Sequence, residues 1–181
     1  MCAPRGVQSP IRRSKARGRH CRGSGYAAGR GAFVDLEGDQ QFGQVGFNLF
    51  VLEPGEAMSM YHWEADQEDF LVLSGEALLI IEGEQRPLGQ WDFVHCPPHT
   101  KHTIVGAGSG ACVVIAVGAR IDSVDNPNWG GYTVDEVALR HEAGVEQETS
   151  VPEEAYAAVR ARYGAREHTA YRDGWLPEPR A

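Results

Sequence analysis

Two histidines and a short run of carboxylates carry the chemistry that this sequence can perform. His62 and Glu64 stand two apart within Tyr61-His62-Trp63-Glu64-Ala65-Asp66-Gln67-Glu68, and on an extended strand residues two apart share one face. Glu68 follows a short polar bend and precedes the apolar run Phe70–Leu73, so it can turn back toward them. His102 opens another apolar run just after the turn Cys96-Pro97-Pro98-His99-Thr100-Lys101. Imidazoles and carboxylates converging from separate strands at the mouth of a barrel are what a divalent metal site requires. The other chemistry-bearing residues read more plainly. Cys96 and Cys112 lie in apolar runs and read as buried free thiols. The chain has no CxxC pair, so a zinc ribbon is not indicated, and no pattern of paired cysteines suggests a disulfide scaffold. His95 and His99 read as hydrogen-bonded or exposed histidines. Gly106-Ala107-Gly108-Ser109-Gly110 runs straight into the strand-like Ala111-Cys112-Val113-Val114-Ile115; a phosphate loop needs a helix there, so it is a turn.

The elements that must position these residues are short. Val45–Leu52, Phe70–Leu73, Ala77–Ile81, Trp91–His95, His102–Val105 and Cys112–Val117 are rich in Val, Ile, Leu and Phe, of strand length, and separated by Gly, Pro and acidic turns. With no helical unit between them, they predict an all-β antiparallel sandwich or barrel rather than a doubly wound sheet. Tyr61, Trp63, Phe47, Phe50, Trp91 and Phe93 are expected in the core or a subunit interface, and Met58 and Met60 in the core. Asp125–Gly131 reads as a loop. Thr133-Val134-Asp135-Glu136 matches a capping box opening a helix that stops near Gly144, and Ser150-Val151-Pro152-Glu153 opens a second that runs to Tyr163 and ends at Gly164. Trp175-Leu176 could anchor the final residues.

Composition bounds the rest. The 181 residues are 42% hydrophobic and 23% charged, enough for one packed domain. No stretch approaches the ~20 apolar residues of a membrane-spanning helix, so no membrane partner is expected. The net charge of -8 conceals a division: residues 1–24 hold seven basic residues (Arg5, Arg12, Arg13, Lys15, Arg17, Arg19, Arg22) and no acidic one, leaving -15 for the remaining 157. The first segment reads as a disordered basic tail. No aromatic residue interleaves its charges and no helix-turn-helix pattern accompanies it, so nucleic acid is not the expected partner. Arg12-Arg13 is followed by no apolar region, which argues against an export signal, and a cytoplasmic location is the default expectation.

The two histidine-bearing stretches resemble the two signature motifs of the cupin superfamily. The first aligns through Gly55, His62, Glu68 and Gly75, the second through Gly89, Pro97 and His102, and the resemblance spans Val45–Val117 in one copy. Glu64 stands where the family has a second histidine, and His99 where it has a glycine. Counting from Gly55 puts Tyr61 at the first-histidine position; either Tyr61 or His62 points inward, and the spacing of His62 from Glu64 favours His62. The resemblance implies a cupin-type double-stranded β-helix, a jelly-roll barrel assigned to residues 25–122; the capping boxes place short C-terminal helices and a tail in residues 123–181. It implies that His62, Glu64, Glu68 and His102 hold a divalent metal. Two imidazoles with carboxylates favour Fe(II) or Mn(II), with Zn or Ni compatible with the same donors. Glu64 would act as general base if it is not a ligand. The implied activity is a small metal-dependent oxygenase or isomerase acting on a polar or carbonyl-bearing small molecule. The alternative is a non-catalytic module that binds or senses such a ligand. A homodimer is implied by the same resemblance.

Overall fold

A computed structural model describes residues 32–35, 42–122 and 126–164; the basic segment 1–24 and the Trp175-Leu176 pair lie outside them. Among the described residues, ten strands form two five-stranded sheets. In chain order they are β1 (Ala32–Asp35), β2 (Val45–Leu52), β3 (His62–Glu64), β4 (Glu68–Ser74), β5 (Glu76–Ile81), β6 (Glu84–Leu88), β7 (Phe93–Cys96), β8 (His102–Ala107), β9 (Cys112–Ala119) and β10 (Gly130–Tyr132). One sheet has the order β1-β2-β9-β4-β7 and the other β10-β3-β8-β5-β6. Every pairing is antiparallel. Apart from the β1–β2 and β5–β6 pairs, successive strands alternate between sheets, which produces the expected double-stranded β-helix.

The alternation of apolar residues fixes which faces meet. Leu52, Phe70, Val72, Leu79, Val94, Ile104, Cys112 and Val114 form the buried layer between the sheets. Phe70 is 1% exposed, so replacing it with Ala would cost about 3–5 kcal/mol. Leu49, Val51 and Val113 form a separate cluster on the outer face of the first sheet. Trp91 and Phe93, expected in a core or interface, are 67% and 64% exposed in this single chain. They sit on and just before the edge strand β7, whose alternate residues Val94 and Cys96 point inward.

Besides β1, which no run in the sequence reading covered, β6 and β10 went unread for opposite reasons. β6 is polar and exposed along most of its length and carries Pro87, tolerated because this is an edge strand. It pairs with β5 across a two-residue turn whose residues, Glu82 and Gly83, both have positive φ, at 47° and 80°, the geometry that matches strand twist. β10 lies in the segment read as a loop. Its glycines allow close approach: a Cβ on Gly130 would stand 2.6 Å from the Trp63 carbonyl oxygen.

The C-terminal helices are shorter than expected. α1 (Glu136–Arg140) is capped by Asp135, whose side chain accepts from the Ala138 amide, and not by Thr133. The second helix is broken at Tyr156 into α2 (Pro152–Ala155) and α3 (Ala157–Tyr163), with Val151 at the first cap and no side-chain cap. It does end at Gly164, where φ is +78°. Met60, Tyr132, Val145, Ala155 and Tyr156 pack together where α2 and α3 meet the edge of the barrel.

Candidate metal centre

Two facing rows of side chains build the site. Across the second sheet, Tyr132 pairs with His62 and His62 pairs with His102. Across the first, Gly118 pairs with Glu68 and Glu68 with Cys96. Residues directly opposite in neighbouring strands share a face, and here both rows face the barrel interior. His62, Glu68 and His102 thereby meet, with one donor atom from each lying within 4.8 Å of the others. The Glu68 Oε2 atom is 3.2 Å from His102 Nε2 and 3.5 Å from His62 Nε2. His62 is therefore the inward residue. Tyr61 points to the opposite side, into a cluster with Ala57, Ile80, Val105, Ala138 and Ala143.

The backbone sets the protonation of both rings. His62 Nδ1–H donates to the Met60 carbonyl at 2.8 Å, and His102 Nδ1–H donates to the Thr100 carbonyl at 2.9 Å. A neutral imidazole carries one N–H, so each Nε2 presents a lone pair to the carboxylate. Three acceptors then face one another in a nearly dry space. His102 Nε2 and Glu68 Oε2 are buried and have no hydrogen-bond partner, and unsatisfied buried polar atoms are costly. A shared cation relieves the repulsion, and a proton or a divalent ion can each supply it. The donor set fits a divalent ion, because metal-ligating histidines commonly donate their second nitrogen in this way.

The protonation tendencies agree. Burial alone would depress His62, but the carboxylates of Glu64 and Glu68 outweigh it and hold the ring up at about 9. Burial likewise opposes charge on His102, while Cys96 and Glu68 raise it well above the ordinary value. Glu68 moves the other way: burial would raise it, yet the close His102 and His62 imidazoles, once protonated, pull it far below the carboxylate range. Without a metal, a proton held between imidazole and carboxylate takes the cation's place.

Glu64 stands apart from this trio. Its Oε1 is 3.7 Å from His62 Nε2, but it does not join the group of three converging donors. Burial and the neighbouring charge of Glu68 raise its pKa, so it can hold a proton where Glu68 cannot. The rest of the acidic run has structural tasks. Asp66 is buried and accepts from the Ile121 and Asp122 amides at 2.9 and 3.0 Å. Asp69 pairs with the half-exposed His95 at 2.6 Å. His99 is exposed beside Trp63, their rings 5.0 Å apart.

Sequence reasoning missed Tyr132. Its ring lies 5.8 Å from that of His62, and burial followed by nearby Tyr156 and Glu64 keeps its phenol protonated. The Gly130-Gly131 pair was the available signal for a strand approaching another backbone closely. A cavity of about 860 Å³ lies elsewhere, between the barrel edge and the C-terminal helices, lined by residues such as Met60, Val145, Ala155 and Val159. None of His62, Glu64, Glu68 or His102 lines it.

Residues 48–118 match the profile of the cupin domain. The barrel is a cupin domain. Among solved structures, the cupin is similar to a provisionally assigned sugar phosphate isomerase from Acidithiobacillus ferrooxidans, at 34% identity over 44% of this chain and 52% of that one, with a TM-score of 0.42. It is similar to a sugar phosphate isomerase of the cupin superfamily from Silicibacter pomeroyi, at 26% identity, 50% and 59% coverage and a TM-score of 0.45. The polyketide cyclase RemF from Streptomyces resistomycificus matches at 16% identity, 62% and 80% coverage and a TM-score of 0.49. The matched region thus spans little more than half the length of the first two. No curated protein matches the chain. Among the described residues, no helix is long and apolar enough to cross a membrane.

Proposed function

We propose that this cupin is a divalent-metal-dependent enzyme acting on a small polar or carbonyl-bearing molecule, with His62, Glu68 and His102 holding the metal. One observation carries the reading: two imidazoles, each locked by an Nδ1–H bond to a backbone carbonyl, turn their Nε2 atoms onto one buried carboxylate. Two histidines and one carboxylate leave coordination positions free, which suits Fe(II) or Mn(II). The bound ion would supply Lewis acidity toward a carbonyl or hydroxyl oxygen of the substrate.

The chain's own residues supply the rest. Glu68 contributes the negative charge, being far too acidic to serve as a proton carrier. Glu64, adjacent to His62 and with a raised pKa, is placed to take, as its carboxylate, a proton from the hydroxyl-bearing carbon next to the carbonyl and return it to the carbonyl carbon, while the hydroxyl proton passes to the former carbonyl oxygen. Such a transfer is an isomerisation, balanced without any external oxidant, and the proton-holding Glu64 favours it over oxygenation. Phe70 packs against His102 with ring centroids 5.2 Å apart and closes the site on the core side.

The test is turnover of the metal-loaded protein on a panel of small hydroxy-ketones and aldoses in deuterated water. Isomerisation predicts deuterium incorporated at the carbon that exchanges its proton, and its loss in Glu64→Gln. Oxygen consumption without such incorporation would replace isomerase with oxygenase. A tightly held ligand with neither reaction would support the non-catalytic binding module instead.

A further inference from the structure

We propose that Tyr156, in the C-terminal helical extension, is a positioning residue for the His62 imidazole, acting through the backbone of Met60. The inference rests on the metal-holding role proposed for His62. Tyr156 lies at the break between α2 and α3, with φ and ψ of -97° and 5°, and is only 4% exposed. The break turns its phenol into the barrel edge rather than along the helix. There the Met60 amide donates to the Tyr156 hydroxyl at 3.0 Å, while the carbonyl of the same Met60 accepts from His62 Nδ1 at 2.8 Å. One residue is therefore clamped at both ends, by the extension on one side and by the candidate ligand on the other.

The surroundings reinforce this path. Tyr132 meets Tyr156 edge-on with centroids 5.6 Å apart and lies tilted on His62 at 5.8 Å. The peptide that carries the Met60 carbonyl is held at its other end, where the Tyr61 amide donates to the Ala143 carbonyl at 2.6 Å. Ser59 Oγ approaches His62 Nδ1 only to 3.4 Å, so the Met60 carbonyl is the dominant partner. His102 has no such dependence. Its carbonyl partner Thr100 sits in a turn closed locally by the Thr100 amide on Pro97 at 3.1 Å. The two imidazoles are thus oriented by different parts of the chain. The orientation of His62 depends on residues outside the matched region 48–118, whereas that of His102 does not.

Outer partners of metal-bound histidines typically alter affinity by about 10- to 100-fold when removed. Tyr156 acts one bond further out, so the lower end applies. The experiment titrates Co(II) into the metal-free full chain, following its visible absorption, for the wild type, Tyr156→Phe and Val159→Ala. Val159 packs in the same cluster but touches neither Met60 nor His62 through a hydrogen bond, so it reports loosened packing alone. The expected result is about tenfold weaker Co(II) binding and an altered spectrum in Tyr156→Phe, with Val159→Ala matching the wild type in both. Equal effects in the two variants, or none in Tyr156→Phe, would overturn the proposal while leaving the metal site standing. Absence of Co(II) binding in the wild type would overturn both. Coupling is reciprocal, which gives a second measurement that needs no variant. Saturating Zn(II) should slow hydrogen exchange at the Met60 amide of the wild type, and unchanged exchange counts against the path.

Discussion

His62 and His102 are cross-strand partners whose rings lie 5.1 Å apart, and each donates Nδ1–H to the carbonyl two residues before it. This repeated local bond is what turns both Nε2 lone pairs toward Glu68. It also means that the site binds either protons or a metal ion, and that the two compete.

That competition sets a pH dependence. In the metal-free protein His62 stays protonated up to about 9, against an ordinary value near 6.5, because Glu64 and Glu68 overcome the effect of burial. Metal binding must displace this proton and any held by His102, whose pKa is also raised, so affinity for Zn(II) should rise by at least roughly tenfold per pH unit from pH 7 toward 9. The stability of the metal-free form runs the opposite way. The raised pKa stabilises the fold fully below pH 6.5, and that contribution is lost as pH rises through about 9. Calorimetric titrations and thermal melts at several pH values check both signs; an affinity flat from pH 7 to 9 contradicts the first.

Removing the proton carrier should separate binding from turnover. Glu64→Gln keeps the shape of the side chain and leaves His62, Glu68 and His102 in place. Metal content should stay within about twofold of the wild type, while turnover falls by about 100-fold or more. Loss of the metal in this variant would instead make Glu64 a ligand.

Among the described glycines, Gly75 alone combines a left-handed backbone with a close backbone neighbour, so it should resist replacement. Its φ is +79°, and a Cβ there would stand 2.5 Å from the Ala111 carbonyl oxygen. Gly75→Ala is expected to cost about 3 kcal/mol, from the left-handed backbone and the clash together. Gly55, with φ +81° and open space around it, should lose only about 1 kcal/mol as Ala. Denaturant melts of the two variants give the comparison, and equal losses would contradict it.

His99 occupies a glycine position of the second motif and has φ +68°. The residue tolerates this conformation where a β-branched one does not. His99→Val should cost about 2 kcal/mol, and His99→Asn less than about 0.5 kcal/mol. A Val variant as stable as the Asn variant would show that the turn is not strained.

Much of the fold was legible because burial wrote itself into the pattern. Val45–Leu52 matched its strand as read, and the Val- and Leu-rich runs all became strands, since each must cover one face of a shared core. β6 escaped notice because an exposed edge strand needs no apolar residue. β10 escaped because two glycines carry no side-chain signal. The site was legible in its donor types and spacing, which brought His62, Glu68 and His102 together as expected. What spacing could not show was distance: Glu64 sits beside the trio and not within it. Nor could it show Tyr132 and Tyr156, which reach the site from beyond the matched region through tertiary contacts alone. The basic segment 1–24 and the residues after 164 remain outside the described structure.

The central claim is that His62, Glu68 and His102 together hold a divalent ion. The most direct measurement is the metal-to-protein ratio of purified wild type, His62→Ala, His102→Ala and Glu68→Gln after loading with Fe(II) or Mn(II) and desalting, with thermal melts confirming that each is folded. The account predicts about one ion per wild-type chain and loss of most of it in all three folded variants. Stoichiometric metal retained in folded His62→Ala and His102→Ala would contradict it.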